Sequence, residues 1–266
     1  MNAKKQKIEK VSKPYIKGDV FDRTTLPGAL KFFFGTAAMA VVFLIICVVL
    51  HFDAKWLDIV VNLGVALGVY LFFAQYGINA GADAVNQGEI MYGRQEKGRP
   101  VADWERSMCY HPLKGFLSAL IGSVPLLLCS IVLACMTERQ MTNLGALPSW
   151  LSSIESRPEI GNALAYYHEG GSMTLEATLR LIIRMTAMPY VNMIGAADKD
   201  AMLVLERISP IINLLPVLAY GFGYMGGVSV RANVHTNIAL GKKKAKRKQA
   251  KERRARMQHR GPEQLN

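Results

Sequence analysis

Residues 211–260 of the chain read IINLLPVLAYGFGYMGGVSV followed by RANVHTNIALGKKKAKRKQAKERRARMQHR. The first twenty of these residues form an apolar run that is long enough to cross a bilayer as a helix, which needs about 20 such residues. The stretch from Lys242 to Arg260 then holds eleven Lys or Arg residues and one Glu in nineteen positions. Because Lys and Arg collect on the cytoplasmic side of membrane spans, this block predicts a cytoplasmic C-terminus.

The composition of the whole chain indicates an integral membrane protein. Of its 266 residues, 51% are apolar, yet the net charge is +12. The positive charge lies at the two ends, with twelve Lys or Arg against two acidic residues in 231–266 and seven against three in 1–27. The residues between the ends are slightly acidic and contain the apolar runs, a distribution that soluble domains of this size rarely show.

Four uncharged or nearly uncharged stretches have the length of a membrane span, namely 32–50, 57–78, 116–136 and 211–230. The pair Ser209-Pro210 suits the N-cap and the first position of a helix, so the fourth helix is expected to begin there. The predicted fold is an all-α integral membrane protein with four transmembrane helices and an amphipathic helix in a small outer domain.

Loop charges orient these spans. The predicted order is a basic cytoplasmic N-terminus (1–27), three transmembrane helices within 28–136 with a cytoplasmic loop (79–114), an extracytoplasmic helical loop (137–209), a fourth transmembrane helix (210–230) and a basic cytoplasmic tail (231–266). The outer loop carries six Lys or Arg against eight Asp or Glu, whereas the loop 79–114 contains five basic residues. The expected location is therefore the cell (cytoplasmic) membrane, spanned several times, with both termini cytoplasmic.

The segment 174–188 predicts a further helix, whose position relative to the membrane has two interpretations. Glu176, Arg180 and Arg184 are spaced four apart and form one charged stripe on an otherwise apolar helix. Two arginines at mid-bilayer would be costly, so we predict an interfacial helix that lies on the outer face. The alternative is a re-entrant or bundle-capping helix.

The second span carries small residues that favour close helix packing. Gly64 and Gly68, and again Gly77 and Gly81, show the small-xxx-small spacing that lets a neighbouring backbone approach. We predict that these four glycines lie at helix contacts.

A polar stripe follows on the same helix. Gln75, Asn79 and Asp83 recur every four residues, and Asn86 comes three residues later. The stripe predicts either a solvated vestibule or polar contact with a partner, or simply a helix that becomes polar as it leaves the bilayer.

Catalytic and metal-binding patterns are not recognisable in the sequence. It contains no GxSxG, HExxH or phosphate-cradling glycine loop, and its five histidines are scattered. We therefore expect no enzyme activity, no cofactor and no metal site.

The tail is the strongest candidate for a binding surface. Val230, Val234 and Ile238 predict a short amphipathic helix that ends at Gly241. The predicted sites for anionic lipid or phosphate are the basic residues Lys242, Lys243, Lys244, Lys246, Arg247, Lys248, Lys251, Arg253, Arg254 and Arg256. We predict that the tail adheres to anionic lipid. Phosphate contacts with nucleic acid or ribosome, and docking on an acidic cytoplasmic protein, are the alternatives.

These features predict a non-enzymatic subunit or scaffold of a membrane assembly with a lipid-anchored polybasic tail, acting as a homo- or hetero-oligomer. Its expected partners are the lipid bilayer and anionic lipids. The alternatives are a transporter or permease component that works as an oligomer, and a membrane tether or insertion factor that binds RNA or ribosome through the tail.

Overall fold

The computed structural model describes residues 11–22, 24–49, 54–137, 175–195 and 198–259 of the chain. Over these ranges the protein is all-helical and forms no strand. Part of the predicted outer domain (138–174), the first ten residues of the predicted N-terminal segment and the last seven residues of the tail lie outside the described residues.

The helices have clear bounds. They are α1 (Thr25–Val49), α2 (Lys55–Glu96), α3 (Asp103–Ser107), α4 (Lys114–Met136), α5 (Leu175–Thr186), α6 (Met188–Ile194) and α7 (Lys199–His259). Within the described part of the chain, α1, α2, α4 and α7 are long and apolar enough to cross a membrane. The prediction of an all-helical chain with four helices of this kind is confirmed.

Helix α7 begins eleven residues before the predicted start at Pro210, so that prediction is wrong. Asp198 caps the helix, since its Oδ1 accepts the backbone N–H of Ala201 at 3.0 Å. Pro210 has no N–H to donate to the carbonyl of Glu206, four residues earlier. The hydroxyl of Ser209 donates to that carbonyl instead, at 2.8 Å, so the helix passes through the proline with this acceptor satisfied.

Gly241 does not end a helix either. Helix α7 continues through it to His259. A glycine inside a helix costs about 1 kcal/mol relative to alanine. The following residues are mainly Lys, Arg, Ala, Gln and Glu, which are among the best helix formers, and this explains why the helix continues. The basic stretch is therefore part of the same helix as the fourth candidate span.

The predicted helix 174–188 corresponds to α5, which ends at Thr186, and the short helix α6 follows it. Ala187 departs from helical geometry, with φ −103° and ψ 17°. Pro189 then lies in the first turn of α6, where its missing N–H costs nothing. Pro189 therefore lies at the start of a second short helix.

The chain forms two compact units, each assembled from separate segments. The first unit contains residues Met1–Thr25, Ala74–Leu117 and Tyr220–Asn266, and the second contains Leu26–Phe73 and Ser118–Ala219. In the second unit α1 packs closely on α4, since a Cβ on Gly122 would lie 2.3 Å from the carbonyl oxygen of Ala29. In the same unit α1 also contacts α2, because the rings of Phe32 and Phe73 lie with their centroids 5.3 Å apart.

Candidate functional site

The first unit contains a contact between the backbones of α2 and α7. A Cβ built on Gly77 would lie 2.1 Å from the carbonyl oxygen of Tyr220, and one on Gly81 would lie 2.1 Å from that of Tyr224. The partner residue numbers rise together along the two helices, so the helices run parallel. Two of the four predicted packing glycines therefore lie in a direct helix contact.

Helix α7 contributes glycines of its own to this contact. A Cβ on Gly223 would lie 2.1 Å from the carbonyl oxygen of Ala74, and one on Gly227 would lie 2.4 Å from the backbone nitrogen of Ala82. Gly223 and Gly227 have the same four-residue spacing as Gly77 and Gly81. Small residues on both helices thus allow the two backbones to touch without side chains between them.

The other two predicted packing glycines are placed differently. Gly64 and Gly68 are exposed, and among the described residues nothing lies within 4 Å of a Cβ built on either. The same sequence spacing on one helix therefore gives a buried contact at one end and an open surface at the other.

The predicted polar stripe is also divided. Gln75, Asn79 and Asp83 are exposed, and the Gln75 amide donates to Asn79 Oδ1 at 3.1 Å. Asn86 is partly buried and accepts a hydrogen bond from the guanidinium of Arg231 on α7. The structure therefore brings only the last member of the stripe into contact with another helix.

Glu89 joins α2 to α7 near the cytoplasmic end predicted for both helices. Its Oε2 lies 3.1 Å from Arg231 Nη2, and its Oε1 lies 2.7 Å from His235 Nε2. The side chains of Glu89 and His235 are each 8% exposed. Sequence patterns did not predict this pairing, although the opposite charges of Glu89 and Arg231 were a signal that could have suggested it.

The N-terminal segment 11–22 packs across this helix pair. The Val11 N–H donates to Thr236 Oγ1 at 3.0 Å, and the Ile16 N–H donates to the Gly88 carbonyl at 3.2 Å. These contacts hold the segment 11–22 against both α2 and α7. Part of the predicted cytoplasmic N-terminus is thus a structural element of the first unit.

An aromatic cluster holds the loop before α4 in the same unit. Tyr110 stacks on Tyr224, with ring centroids 5.4 Å apart and planes at 9°, and Tyr15 meets the edge of Tyr110. Gly18 lies so close to this loop that a Cβ on it would be 2.4 Å from the carbonyl oxygen of Cys109. Burial raises the pKa of the Cys109 thiol and of the Tyr110 hydroxyl.

The predicted phosphate-binding residues form a basic helical arm, defined as residues 242–259 of α7. Every residue from 241 to 255 is exposed. No ion pair involves these basic side chains in the part of the chain that the structure describes. All ten predicted basic residues belong to the arm. The side chains of nine of them are described, and that of Arg256 lies outside the described residues.

The second unit contains a buried ion cluster that the sequence did not predict. Arg180 Nε donates to Glu206 Oε1 at 2.9 Å, and Arg184 Nη2 donates to the same oxygen at 2.6 Å. Thr137 donates its hydroxyl to Glu206, and Glu176 accepts from Arg180 at 2.7 Å. Two arginines and two glutamates balance each other's charge. The side chains of Arg180 and Glu206 are 9% and 3% exposed.

Helix α5 packs lengthwise against α4. Leu179 and Ile183 are buried against Leu133, with Leu126 and Cys129 beside them. Leu126 and Leu133 are seven residues apart on α4, so the contact extends for about 10 Å along that helix. Arg180 and Arg184 of the charged stripe contact Glu206, while the side chains of Glu176 and Arg184 stay about one third exposed. The interfacial placement of this helix and its re-entrant or bundle-capping alternative both stay predictions.

A small cavity lies where α6 meets α2 and α7 in the second unit. Its volume is about 30 Å³, which leaves room for one or two water molecules. Tyr70 and Tyr190 line it with hydroxyl oxygens 2.5 Å apart. Asn213 Nδ2 also lies there, buried and without a hydrogen-bond partner among the described residues. The cavity is too small for most metabolites, so it lends no weight to the transporter alternative.

Metal ligands are not clustered in the described part of the chain. The residues that the structure describes contain no group of three or more His, Cys, Asp or Glu side chains that could hold a metal ion.

No protein-family model matches this chain, and neither the curated proteins nor the solved structures yielded a match.

Proposed function

We propose that the chain is a non-enzymatic anchor subunit of a membrane assembly, inserted through α1, α2, α4 and α7 with both termini cytoplasmic. Its role is to hold the basic helical arm away from the membrane surface, where other components of the assembly reach it. The continuity of α7, from the fourth candidate span to His259, is the observation that carries this proposal.

The contacts at the base of the arm support this role. The glycine contact, the Glu89 pairs and the hydrogen bond from Val11 hold α7 to α2 and to the N-terminal segment as far as residue 236. A helix fixed at its base and continuous beyond it projects in a defined direction. The arm itself then extends for about 27 Å.

The geometry makes adhesion of the whole arm to its own membrane unfavourable. Residue 243 lies about 20 Å, and residue 254 about 36 Å, beyond residue 230 along the helix axis. The headgroup layer accounts for only about 5 to 7 Å of this distance. Electrostatic attraction fades over a Debye length of about 8 Å, and an average tilt of about 20° shortens the projection only slightly.

The test measures the distance from the arm to the membrane. A fluorophore is introduced at Lys243 or at Arg254 through a noncanonical amino acid, and energy transfer to labelled headgroups is measured in nanodiscs of neutral and of anionic lipid. We expect lower transfer from position 254 in both lipids, because it lies about 16 Å further along the helix. Equal transfer from the two positions would show an arm lying flat and would contradict the anchor role.

Topology and transport provide the second part of the test. A green fluorescent protein fused after residue 259 should fluoresce, because it folds in the cytoplasm. A phosphatase that is active only in the periplasm should be inactive when fused at the same position. Liposomes containing only the purified chain should show no flux of ions or metabolites. Reproducible flux would instead favour the transporter alternative.

A further inference from the structure

The basic helical arm presents positive charge on every side. Successive residues of a helix turn by about 100°, so the ten basic positions between 242 and 256 are distributed around the whole circumference. The described basic side chains of the arm are exposed. A surface that docks on one face of a folded protein needs its charges on one side only, whereas this arm is charged all round.

The arm lacks the features of a protein-binding helix. Stable protein interfaces have an apolar core, enriched in aromatic residues and methionine and depleted of charge. The apolar side chains of the arm are Ala245, Ala250, Ala255 and Met257, so it has one large apolar side chain and no Phe, Tyr or Trp. Binding at such a surface must come from charge, which is the dominant source of affinity for a phosphate backbone.

We propose that the arm binds nucleic acid through its phosphates, without reading sequence, so that the protein tethers nucleic acid at the cytoplasmic face of the membrane. This inference rests on the proposed anchor function, because an arm lying flat on lipid would have its charges neutralised there. The absence of aromatic residues from 242–259 removes base stacking, so a duplex with its higher charge density should bind at least as well as a single strand.

The test uses the full chain in nanodiscs of neutral lipid only, with fluorescent 20-base-pair RNA and DNA duplexes as probes. We expect both duplexes to bind and the affinity to fall by about 10³ to 10⁵ between 50 and 200 mM salt, as for proteins that make six to ten phosphate contacts. Unlabelled duplexes of unrelated sequence should compete equally.

Two matched variants each remove five basic residues, one set from the proximal half of the arm and one from the distal half. The proximal variant changes Lys242, Lys243, Lys244, Lys246 and Arg247 to Gln, and the distal variant changes Lys248, Lys251, Arg253, Arg254 and Arg256 to Gln. We expect each to weaken duplex binding by at least roughly tenfold at 100 mM salt and to reduce the salt dependence by about half. A variant with every arm arginine changed to lysine should bind as the original does, because it keeps the charge.

Several results would overturn the proposal. Loss of binding in the proximal variant alone would indicate charges that act only near the membrane. Polyglutamate of matched charge competing as well as duplex would indicate an acidic protein partner. If neither duplex binds while the energy transfer still shows an arm that stands off the membrane, nucleic-acid binding is refuted and the anchor role stands. Equal energy transfer from both fluorophore positions would instead contradict the anchor role itself.

Discussion

The glycine contact between α2 and α7 gives the sharpest prediction about the fold. In the variant Gly81→Ala, the new Cβ would lie 2.1 Å from the carbonyl oxygen of Tyr224. An ordinary contact of this type is about 3.4 Å or more, so the helices must separate by about 1.3 Å. Backbone cannot rotate away as a side chain can. A gap of 0.5 to 1 Å already loses about a quarter to a half of the dispersion energy at each contact.

The expected cost follows from this displacement. Overpacking of a close contact typically costs about 1 to 3 kcal/mol, and the better helix propensity of alanine returns up to about 1 kcal/mol. The variant Gly64→Ala is the matched control, since Gly64 lies on the same helix and has the same spacing to a second glycine. Its new Cβ meets no atom of the described residues within 4 Å. It should be neutral or stabilising by up to about 1 kcal/mol.

The measurement is reversible unfolding by SDS in mixed micelles, followed by tryptophan fluorescence. We expect the midpoint to fall for Gly81→Ala and to stay or rise for Gly64→Ala, with Gly77→Ala resembling the former. If the Gly64 and Gly81 variants lose the same stability, the contact between α2 and α7 does not distinguish the two glycine pairs, and the register described above is wrong.

Three further predictions concern single residues. Glu206→Gln should destabilise the protein by about 3 to 5 kcal/mol, because it removes the carboxylate charge that the buried Arg180 and the partly exposed Arg184 both contact. Glu105→Gln, whose ion-pair partner Arg94 is 47% exposed, should cost at most about 1 kcal/mol. Thermal unfolding in detergent would compare the two variants, and equal losses would contradict the buried cluster. Burial raises the pKa of the Cys109 thiol, which leaves less reactive thiolate at any given pH, so N-ethylmaleimide at pH 7.5 should modify it after unfolding but not before. Gly18→Ala, which forces the N-terminal segment off Cys109, should speed that modification, as mass spectrometry of the peptide would detect. Asp198→Ala removes the cap of α7 and should cost about 1 kcal/mol; a shift of helix onset in hydrogen exchange at residues 199–203 would check it, and unchanged protection would argue against the cap.

Apolar run length predicted the four long helices, because a run of about 20 apolar residues determines secondary structure almost alone. The residues at which the helices begin and end were harder to predict. The pair Ser209-Pro210 has the chemistry of a helix start, but the same serine satisfies the carbonyl that the proline leaves free. The local residues could not show whether Ser209 starts a helix or lies inside one. The helix begins earlier because Asp198 provides a competing cap upstream.

Contacts between distant segments were beyond sequence patterns. The stripe of Glu176, Arg180 and Arg184 was visible, but its partner Glu206 lies on another helix and depends on tertiary register. The two glycine pairs of α2 were equivalent by spacing, and only the matching pair on α7 distinguishes them. That second pair, Gly223 and Gly227, was the sequence signal that could have selected the correct face.

The division of α7 between the two units has a consequence for biosynthesis. Each unit is assembled from separate segments of the chain and takes one of them from α7, so neither is complete until that helix has been synthesised. Glu206 follows Arg180 by 26 residues, and at 5 to 20 residues per second it emerges about 1 to 5 s later. During that interval Arg180 and Arg184 lack this counter-charge, so the ion cluster around Glu206 forms only after this part of α7 has been synthesised.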